Sequence, residues 1–298
     1  MIKLGILDFD TSHVVEFTKR INHIDVAKEQ WVEGAKVVIG CPGESKLSPE
    51  RIAGYTEQMK KYEIPLVEKP GDMIGKVDAM IIAAVDGSVH WDRAKPFLEA
   101  GIPCYVDKPF TCSLADAKAL VALAEKMKLP LFSSSALRYA TEVTEYGADT
   151  KHGKVLGCAV HGPASLHERN PGLFHYGIHA VEILYTIMGP GCKRVTCTHE
   201  MGTDVVTGVW NDGRIGTVRG IRTGSAGYGF TAYAEKGITA KAVTTGVIYR
   251  ELLMKVVEMF TTKVAPIDPQ ITLEIVAFIE AAYKSGNNHG AGETVKVS

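Results

Sequence analysis

A strand, a helix and a second strand follow one another between residues 77 and 106, and this succession most constrains the fold of the chain. Residues 77–84 form an apolar run of strand length. Residues 94–100 have a helical pattern that ends at Gly101, and residues 103–106 resume a strand. Two strands joined through a helix are predicted to be parallel. Ligands of such sheets bind beyond the carboxyl ends of the strands, so the residues that follow the strands are the candidates for chemistry.

Lys108 follows the second of these strands directly and is the first candidate. Pro109 disfavours helical backbone angles at Lys108, so we expect the ammonium in an extended turn at the strand end. Asp86 and His90 follow the first strand and are expected on the same side of the sheet. The alternative interpretation is a solvated lysine beside a turn proline.

Strands and helices alternate over the first 136 residues. The predicted strands are residues 3–7, 36–39, 79–83, 104–106 and 131–133, and the predicted helices are residues 14–22, 50–61, 92–100 and 113–126. This order is typical of a doubly wound α/β domain. We therefore predict a Rossmann-like parallel sheet, the usual nucleotide-binding fold, for residues 1–136.

The pattern changes beyond Arg138, where strand-like runs follow one another. The predicted strands are residues 154–160, 194–199, 205–210, 214–221 and 229–234, with helices at 141–146, 249–261 and 271–284. Residues 211–213, Asn-Asp-Gly, are a strong hairpin signal. We predict an α+β substrate domain with an antiparallel sheet for residues 137–298, and this sheet is the expected surface for oligomerisation.

The turn after the first strand departs from the usual dinucleotide-binding pattern. That pattern is Gly-x-Gly-x-x-Gly, because glycines let the backbone and a helix N-terminus approach the pyrophosphate. Aligned on Gly5, the three glycine positions hold Asp8, Asp10 and His13. Two carboxylates repel a pyrophosphate by about 1 kcal/mol each at ~4 Å in water, and by several times more in a protein-like dielectric.

Three interpretations of this turn remain open on the residues alone. Thr11 and Ser12 can cap the following helix and donate hydroxyls to a phosphate, which gives a modified cofactor turn. Asp8, Asp10 and His13 can instead form a polar pocket or bind a divalent metal. In the third interpretation, Asp10 or Ser12 caps the helix and His13 lies on its exposed first turn.

Two histidines lie four residues apart in the segment 172–189. On a helix, His175, His179 and Glu182 share one face beside an apolar stripe. Histidines at this spacing can bind zinc, but the glutamate that directly follows the first histidine in zinc proteases is absent. The preceding loop, residues 161–170, is rich in polar side chains, which suits either hydroxyl recognition or solvation.

These segments resemble the glucose-fructose oxidoreductase, inositol dehydrogenase and MocA (Gfo/Idh/MocA) family. Residues 77–110 are similar to its first domain, although Asp107 stands before Lys108 where the family usually has glutamate. Residues 172–189 resemble its active-site helix, with His179 at the histidine position and His175 in place of the usual aspartate. The resemblance covers most of the chain. It implies NAD or NADP as cofactor, a small carbohydrate-like substrate and a homodimer or homotetramer.

The resemblance also implies roles for individual residues. Lys108 and His179 flank the hydroxyl and carbon that are oxidised, with His179 as general acid/base and Lys108 stabilising the developing oxyanion. His175 orients His179 or binds substrate, and Arg138 binds substrate or bridges the domains. The residues expected at the cofactor are Asp8, Asp10, Thr11, Ser12, His13, Asp86, His90 and Lys108. Those expected at the substrate are Arg138, His167, Arg169 and His175, and no metal ligand is assigned.

Composition agrees with a soluble enzyme. With 46% hydrophobic residues and a formal net charge of -1, the chain favours neither nucleic acid nor membrane as a partner. The N-terminus runs directly into a strand without a signal-like pattern, which predicts a cytoplasmic location. The six cysteines are scattered without paired spacing, so we expect reduced thiols.

The sequence thus predicts an oxidoreductase that transfers hydride between a nicotinamide cofactor and a sugar, cyclitol or related polyol. The alternative is a cofactor-poor enzyme of the same fold that carries out proton transfer on a keto-sugar, as in elimination or hydration, with or without a metal. A third class, a sugar-binding protein without activity, is disfavoured by the presence of Lys108 and His179.

Overall fold

The computed structural model describes residues 1–297, which contain twelve strands and eight α-helices. In chain order they are β1 (Ile2–Leu7), α1 (His13–Asn22), β2 (Ala35–Cys41), α2 (Pro49–Lys61), β3 (Ala79–Ile82), α3 (His90–Glu99), β4 (Cys104–Val106), α4 (Leu114–Met127), β5 (Leu131–Phe132), α5 (Thr141–Ala148), β6 (Val155–Pro163), α6 (Ile178–Met188), β7 (Cys192–Glu200), β8 (Thr203–Trp210), β9 (Ile215–Ile221), β10 (Tyr228–Ala234), β11 (Gly237–Val243), α7 (Ile248–Thr262), α8 (Pro269–Asn287) and β12 (Glu293–Thr294).

The first sheet is the predicted parallel, Rossmann-like one. Its strand order is β2-β1-β3-β4-β5, and every neighbouring pair is parallel. All residues of β3 and β4 are buried, as expected of strands covered on both faces. The order reverses direction at β1, which has β2 on one side and β3 on the other. The turns after β1 and β3 therefore meet where a doubly wound sheet places its ligand crevice.

The second sheet has seven strands in the order β11-β10-β6-β9-β8-β7-β12. Most neighbours are antiparallel, but β6 and β9 pair in parallel over the full length of β9, so the predicted antiparallel sheet is in fact mixed. The parallel pair arises because α6, β7 and β8 intervene between these two strands, and the chain returns beside β6 in the same direction.

The predicted hairpin at residues 211–213 is confirmed. The N–H of Gly213 bonds to the carbonyl of Trp210 at 3.0 Å, and Gly213 has a φ of +87°, a conformation that favours glycine. The sequence interpretation missed β11, most of whose residues are exposed, because it has no alternation of buried and exposed positions.

The chain divides into two compact units. The first comprises Met1–Thr111, Ala115–Ser134 and Tyr249–Pro269, and the second comprises Cys112–Leu114, Ser135–Ile248 and Gln270–Ser298. The sequence prediction instead assigned all of residues 137–298 to one domain. The difference has a packing cause: the Tyr249 ring of α7 contacts Phe17 of α1 at 5.8 Å between centroids, and Val257 lies beside Gly34. The helix α7 thus returns to the first unit.

Among residues 1–297, no helix is both long and apolar enough to span a bilayer. None of the six cysteines, all of which lie among residues 1–297, forms a disulfide.

Candidate functional site

Asp8, the first residue after β1, is buried and paired with Arg93 of α3. Its backbone is left-handed, with a φ of +70°. Both carboxylate oxygens lie 3.1 Å from Nε of Arg93, but only Oδ2 accepts a hydrogen bond, so Oδ1 is buried without one. Burial raises the pKa of Asp8 to about 7, against the opposing effect of the Arg93 charge. A Cβ at position 43 would lie 2.1 Å from Oδ1, which is why Gly43 is needed beside Asp8.

Asp10, two residues further, is also directed into the protein. Its Oδ2 accepts a hydrogen bond from the Ser45 hydroxyl at 2.6 Å, and its Oδ1 accepts one from the Val85 N–H at 3.1 Å. Burial raises the pKa of Asp10, although these hydrogen bonds oppose the rise. Ser45 follows β2 and Val85 follows β3, so the Asp10 carboxylate joins the three loops at the carboxyl end of the sheet.

The first turn does not fit a pyrophosphate in the usual way. Two of the glycine positions carry buried carboxylates, which accept hydrogen bonds from Arg93, Ser45 and Val85. These side chains cover the backbone that a pyrophosphate would have to approach closely. Of the two residues predicted to cap α1, the Ser12 side chain makes no cap hydrogen bond, whereas Oγ1 of Thr11 accepts the N–H of His13, the first residue of the helix, at 3.3 Å. Among residues 1–297, no three side chains of the His, Cys, Asp or Glu types are arranged to hold a metal.

His13 is buried and hydrogen-bonded, in contrast to the interpretation that places it on an exposed helix turn. Its Nδ1 bonds to Oδ2 of Asp107, the residue before Lys108. Its ring stacks on Phe17 with centroids 4.7 Å apart. Burial alone would raise the pKa of Asp107, but the His13 charge and hydrogen bond, together with Lys108, hold this pKa below its ordinary value. The first turn is therefore tied to the lysine motif through an ion pair that the sequence did not reveal.

Lys108 lies at the end of β4, as predicted, and it is 8% exposed. Its N–H donates to Oδ1 of Asp107 at 2.8 Å, and the Lys108–Pro109 peptide bond is cis. A buried ammonium costs free energy unless it is stabilised by nearby negative charge, and the Asp107 carboxylate supplies such a charge. This position can present a positive charge to a substrate oxygen.

His90 and Asp86 make hydrogen bonds to the loops around Lys108. His90 is fully buried, with Nδ1 at 2.9 Å from the carbonyl oxygen of Pro109 and Nε2 at 2.9 Å from that of Ala84. It thus fastens the end of β3 to the segment after Lys108, with both ring nitrogens engaged. Asp86 accepts the N–H of Ser88 at 2.9 Å and caps a short turn before α3. These contacts hold the loops around Lys108, and the role of His90 and Asp86 at the cofactor stays a prediction.

In the second unit, His179 is held by Ser135. The histidine lies in the first turn of α6, and its Nδ1 is 2.6 Å from Oγ of Ser135. The same oxygen accepts the N–H of Leu137 at 3.1 Å, which fixes the hydroxyl. The rings of Tyr176 and Tyr228 meet His179 edge-on at 5.8 Å. The imidazole is therefore oriented by a hydrogen bond at Nδ1.

Glu182, one turn further along α6, anchors the segment that carries Ser135. It accepts the Ser135 N–H at 3.3 Å and pairs with Arg138, whose Nε donates to Oε2 at 2.8 Å. Both charged side chains are almost fully buried, at 10% and 5% exposure. A buried pair of this kind fixes geometry more than it adds stability. Arg138 thus supports the His179 region through Glu182, and the sequence pattern gave no sign of the Ser135 contact.

His175 does not share a helix with His179, contrary to the prediction. Residues Gly172–Phe174 form a short 3-10 turn, and α6 begins only at Ile178. The His175 ring lies 5.6 Å from that of His167. His167 Nδ1 accepts the N–H of Arg169 at 3.2 Å, which closes a tight turn. The predicted substrate residues His167, Arg169 and His175 therefore cluster in one loop ahead of α6.

Known proteins resemble the chain in part of its sequence and in all of its fold. Residues 47–134 match the family model described as "Oxidoreductase family, NAD-binding Rossmann fold". "Putative oxidoreductase YceM" of Salmonella typhimurium is 29% identical over 115 residues, which are 39% of this chain and 37% of that protein's length. The match therefore spans well under half of this curated relative.

Two solved structures illustrate the likeness in fold. A probable dehydrogenase from Thermotoga maritima superposes with a TM-score of 0.80 at 15% identity, over 99% of both chains. A myo-inositol dehydrogenase from Lactobacillus casei, solved with NAD(H) and myo-inositol, has a TM-score of 0.80 at 12% identity, over 100% of this chain and 98% of that one. At such identities the superpositions establish the fold.

Proposed function

We propose that this protein is an enzyme that transfers hydride between NAD or NADP and a sugar, cyclitol or related polyol. Residues 47–134 match the model of an oxidoreductase family with an NAD-binding Rossmann fold, and the whole chain has the fold of solved dehydrogenases. The family model and the dehydrogenase neighbours support the reaction class. The myo-inositol bound to one neighbour supports the substrate class.

The observation that carries this proposal is the hydrogen bond between Ser135 and His179. When Nδ1–H donates to the serine oxygen, Nε2 keeps its lone pair for the proton of a substrate hydroxyl. Glu182 and Arg138 hold Ser135 in place, so the imidazole does not have to be ordered when substrate binds. An oriented imidazole is the general base that oxidation of an alcohol requires.

Lys108 has the complementary charge for this reaction. The family resemblance assigns Lys108 to the same step: negative charge develops on the substrate oxygen as its proton leaves, and an ammonium stabilises such a charge. A nicotinamide supplies the hydride acceptor when it is bound. In the reverse direction His179 returns the proton to the carbonyl oxygen, by the same path.

The test is the pH profile of substrate oxidation in the wild type and in His179→Asn. The wild-type rate should rise with deprotonation of a group near neutral pH, and His179→Asn should lose this limb together with at least ~100-fold in kcat. Tyr233→Ala, which removes an exposed ring from β10, is the control, and it should keep both the pH-dependent limb and the wild-type kcat. An unchanged profile in His179→Asn would assign the proton transfer to another group.

The filled first turn favours a second candidate function. Asp8 and Asp10 occupy the glycine positions of the cofactor turn, which points to an enzyme that does not bind a dinucleotide there. Such an enzyme would use His179 and Lys108 for proton transfer on a keto-sugar, as in elimination or hydration. It predicts a calorimetric Kd for NAD and NADP no tighter than about 1 mM, or about -4 kcal/mol. Micromolar binding would exclude this candidate.

A further inference from the structure

The second unit contains a cavity that does not include the Ser135–His179 pair. Its volume is about 450 Å³. Three elements form its walls: the loop ahead of α6, the β7–β8 hairpin and the last turns of α8. The polar and aromatic side chains of its lining include His167, Glu168, His199, Tyr283 and Asn287. A cavity of this size is within the range that holds a small organic ligand.

His199 is the best-defined polar group of the cavity. Its Nδ1 lies 2.5 Å from Oδ1 of Asp204, a buried carboxylate. Arg222 also donates to Asp204, from Nη1 to Oδ2 at 2.7 Å and from Nη2 to Oδ1 at 3.1 Å. The paired carboxylate accepts the Nδ1 proton of His199 and sets the ring. Nε2 of the neutral imidazole is consequently an acceptor, which suits a ligand hydroxyl.

His167, in the loop ahead of α6, supplies a hydrogen-bond donor to the cavity. Because its Nδ1 accepts the Arg169 N–H at 3.2 Å, the ring proton of the neutral imidazole is on Nε2. Glu168 adds a carboxylate acceptor, and Asn287 adds an amide that both donates and accepts. The lining therefore contains both hydrogen-bond donors and hydrogen-bond acceptors, as the hydroxyls of a polyol require.

Tyr283 adds an apolar face to these polar groups. Its side chain is 45% exposed, and its Cδ2 lies 3.0 Å from where a Cβ of Gly172 would stand. Gly172 has a φ of +57°, so a glycine both permits this turn and lets the ring lie against the loop. An exposed aromatic ring in the same cavity as these hydrogen-bonding groups suits the C–H face of a sugar ring.

The charges of the cavity argue against an anion. No lysine or arginine belongs to the described lining, Arg222 is committed to Asp204, and Glu168 is negative. We propose that this cavity binds a neutral polyhydroxylated ring, a sugar or cyclitol, as a second site separate from the reaction at His179. The inference does not rest on the proposed function, because neither Lys108 nor His179 lines the cavity. His167, which the family resemblance assigns to the substrate, is here assigned to the second site.

The test is titration of the full-length protein with myo-inositol, followed by NMR on the protein labelled with ¹⁵N at its histidines. The His199 and His167 ring signals, assigned with His199→Gln and His167→Gln, should shift saturably with a millimolar Kd, about -4 kcal/mol at 1 mM. Tyr283→Ala and Asn287→Trp should each weaken this binding at least ~10-fold. The second variant fills the mouth from an exposed position at the end of α8, so it tests the site even if the first perturbs packing.

Two control variants make the result specific. Tyr233→Ala removes a ring of similar exposure from β10 and should leave the shifts unchanged. Lys108→Ala should also leave them unchanged, even if it abolishes turnover, so a failure of this site and a failure of the proposed function are distinguishable. The proposal is overturned by the absence of saturable shifts, by equal loss in Tyr233→Ala, or by larger shifts with inorganic phosphate than with myo-inositol.

Discussion

Among single residues, Lys108 gives the most direct test of the proposed mechanism, through the positive charge of its side chain. Lys108→Ala should lower kcat by ~100-fold or more, because the substrate oxygen loses the cation that stabilises its developing charge. Lys108→Arg should fail as well, since a planar guanidinium cannot place a compact donor at the same point. Lys126→Ala, on the exposed side of α4, is the charge-matched control. Wild-type turnover in Lys108→Ala, with unchanged melting temperature, would remove Lys108 from the mechanism.

The buried carboxyl of Asp8 makes folding stability depend on pH. Its pKa rises from 3.8 to about 7 on folding, so its protonated form is favoured in the folded state. Its contribution is fully present below pH 4 and is lost as the pH rises toward 7, by on the order of 4 kcal/mol. Asp8→Asn carries no titrating group, so urea unfolding should show the variant gaining stability relative to the wild type between pH 4 and pH 8. A constant difference across this range would contradict the assignment.

Among the secondary-structure elements and their connections, the turn between β1 and α1 has the largest expected effect on the affinity for a dinucleotide. Asp10→Gly removes a carboxylate from the position where glycine permits close approach. Calorimetry should therefore show NAD binding at least ~10-fold tighter in the variant, a change of about 1.4 kcal/mol. Asp72→Gly removes an exposed carboxylate elsewhere in the same unit and should leave the affinity unchanged. If Asp10→Gly binds NAD no better than Asp72→Gly does, the turn does not limit binding.

The apolar pattern of the sequence predicted most strands and helices, because their buried positions either alternate with exposed ones or follow one another without a break. The strands of the first sheet and the helices α1 to α4 were placed within two residues of their observed bounds, since each has an apolar face or core and a clear stop signal. His175 was placed on a helix because its spacing from His179 fits one, yet α6 begins three residues later. The contacts of Ser135 with His179 and of His13 with Asp107 join residues 44 and 94 positions apart, and no local pattern encodes such pairs.

In the whole molecule, the residues proposed for catalysis are distributed over the two units. The first contains the parallel sheet, Lys108 and the turn of carboxylates, and the second contains His179 with its supports. The return of α7 to the first unit was not predictable, because an amphipathic helix near the end of a chain carries no sign of which sheet it will cover. The resemblance of short motifs predicted the family, whereas composition alone predicted only a soluble enzyme.

Hydride transfer itself is tested by reduction of NAD and NADP by the purified protein with a panel of cyclitols and sugars, followed by nicotinamide absorbance. We expect at least one pair to give sustained turnover, Lys108→Ala and His179→Asn to abolish it, and Tyr233→Ala to retain it. No reduction with any pair, by protein that is folded and whose NAD affinity is no tighter than about 1 mM, would contradict hydride transfer.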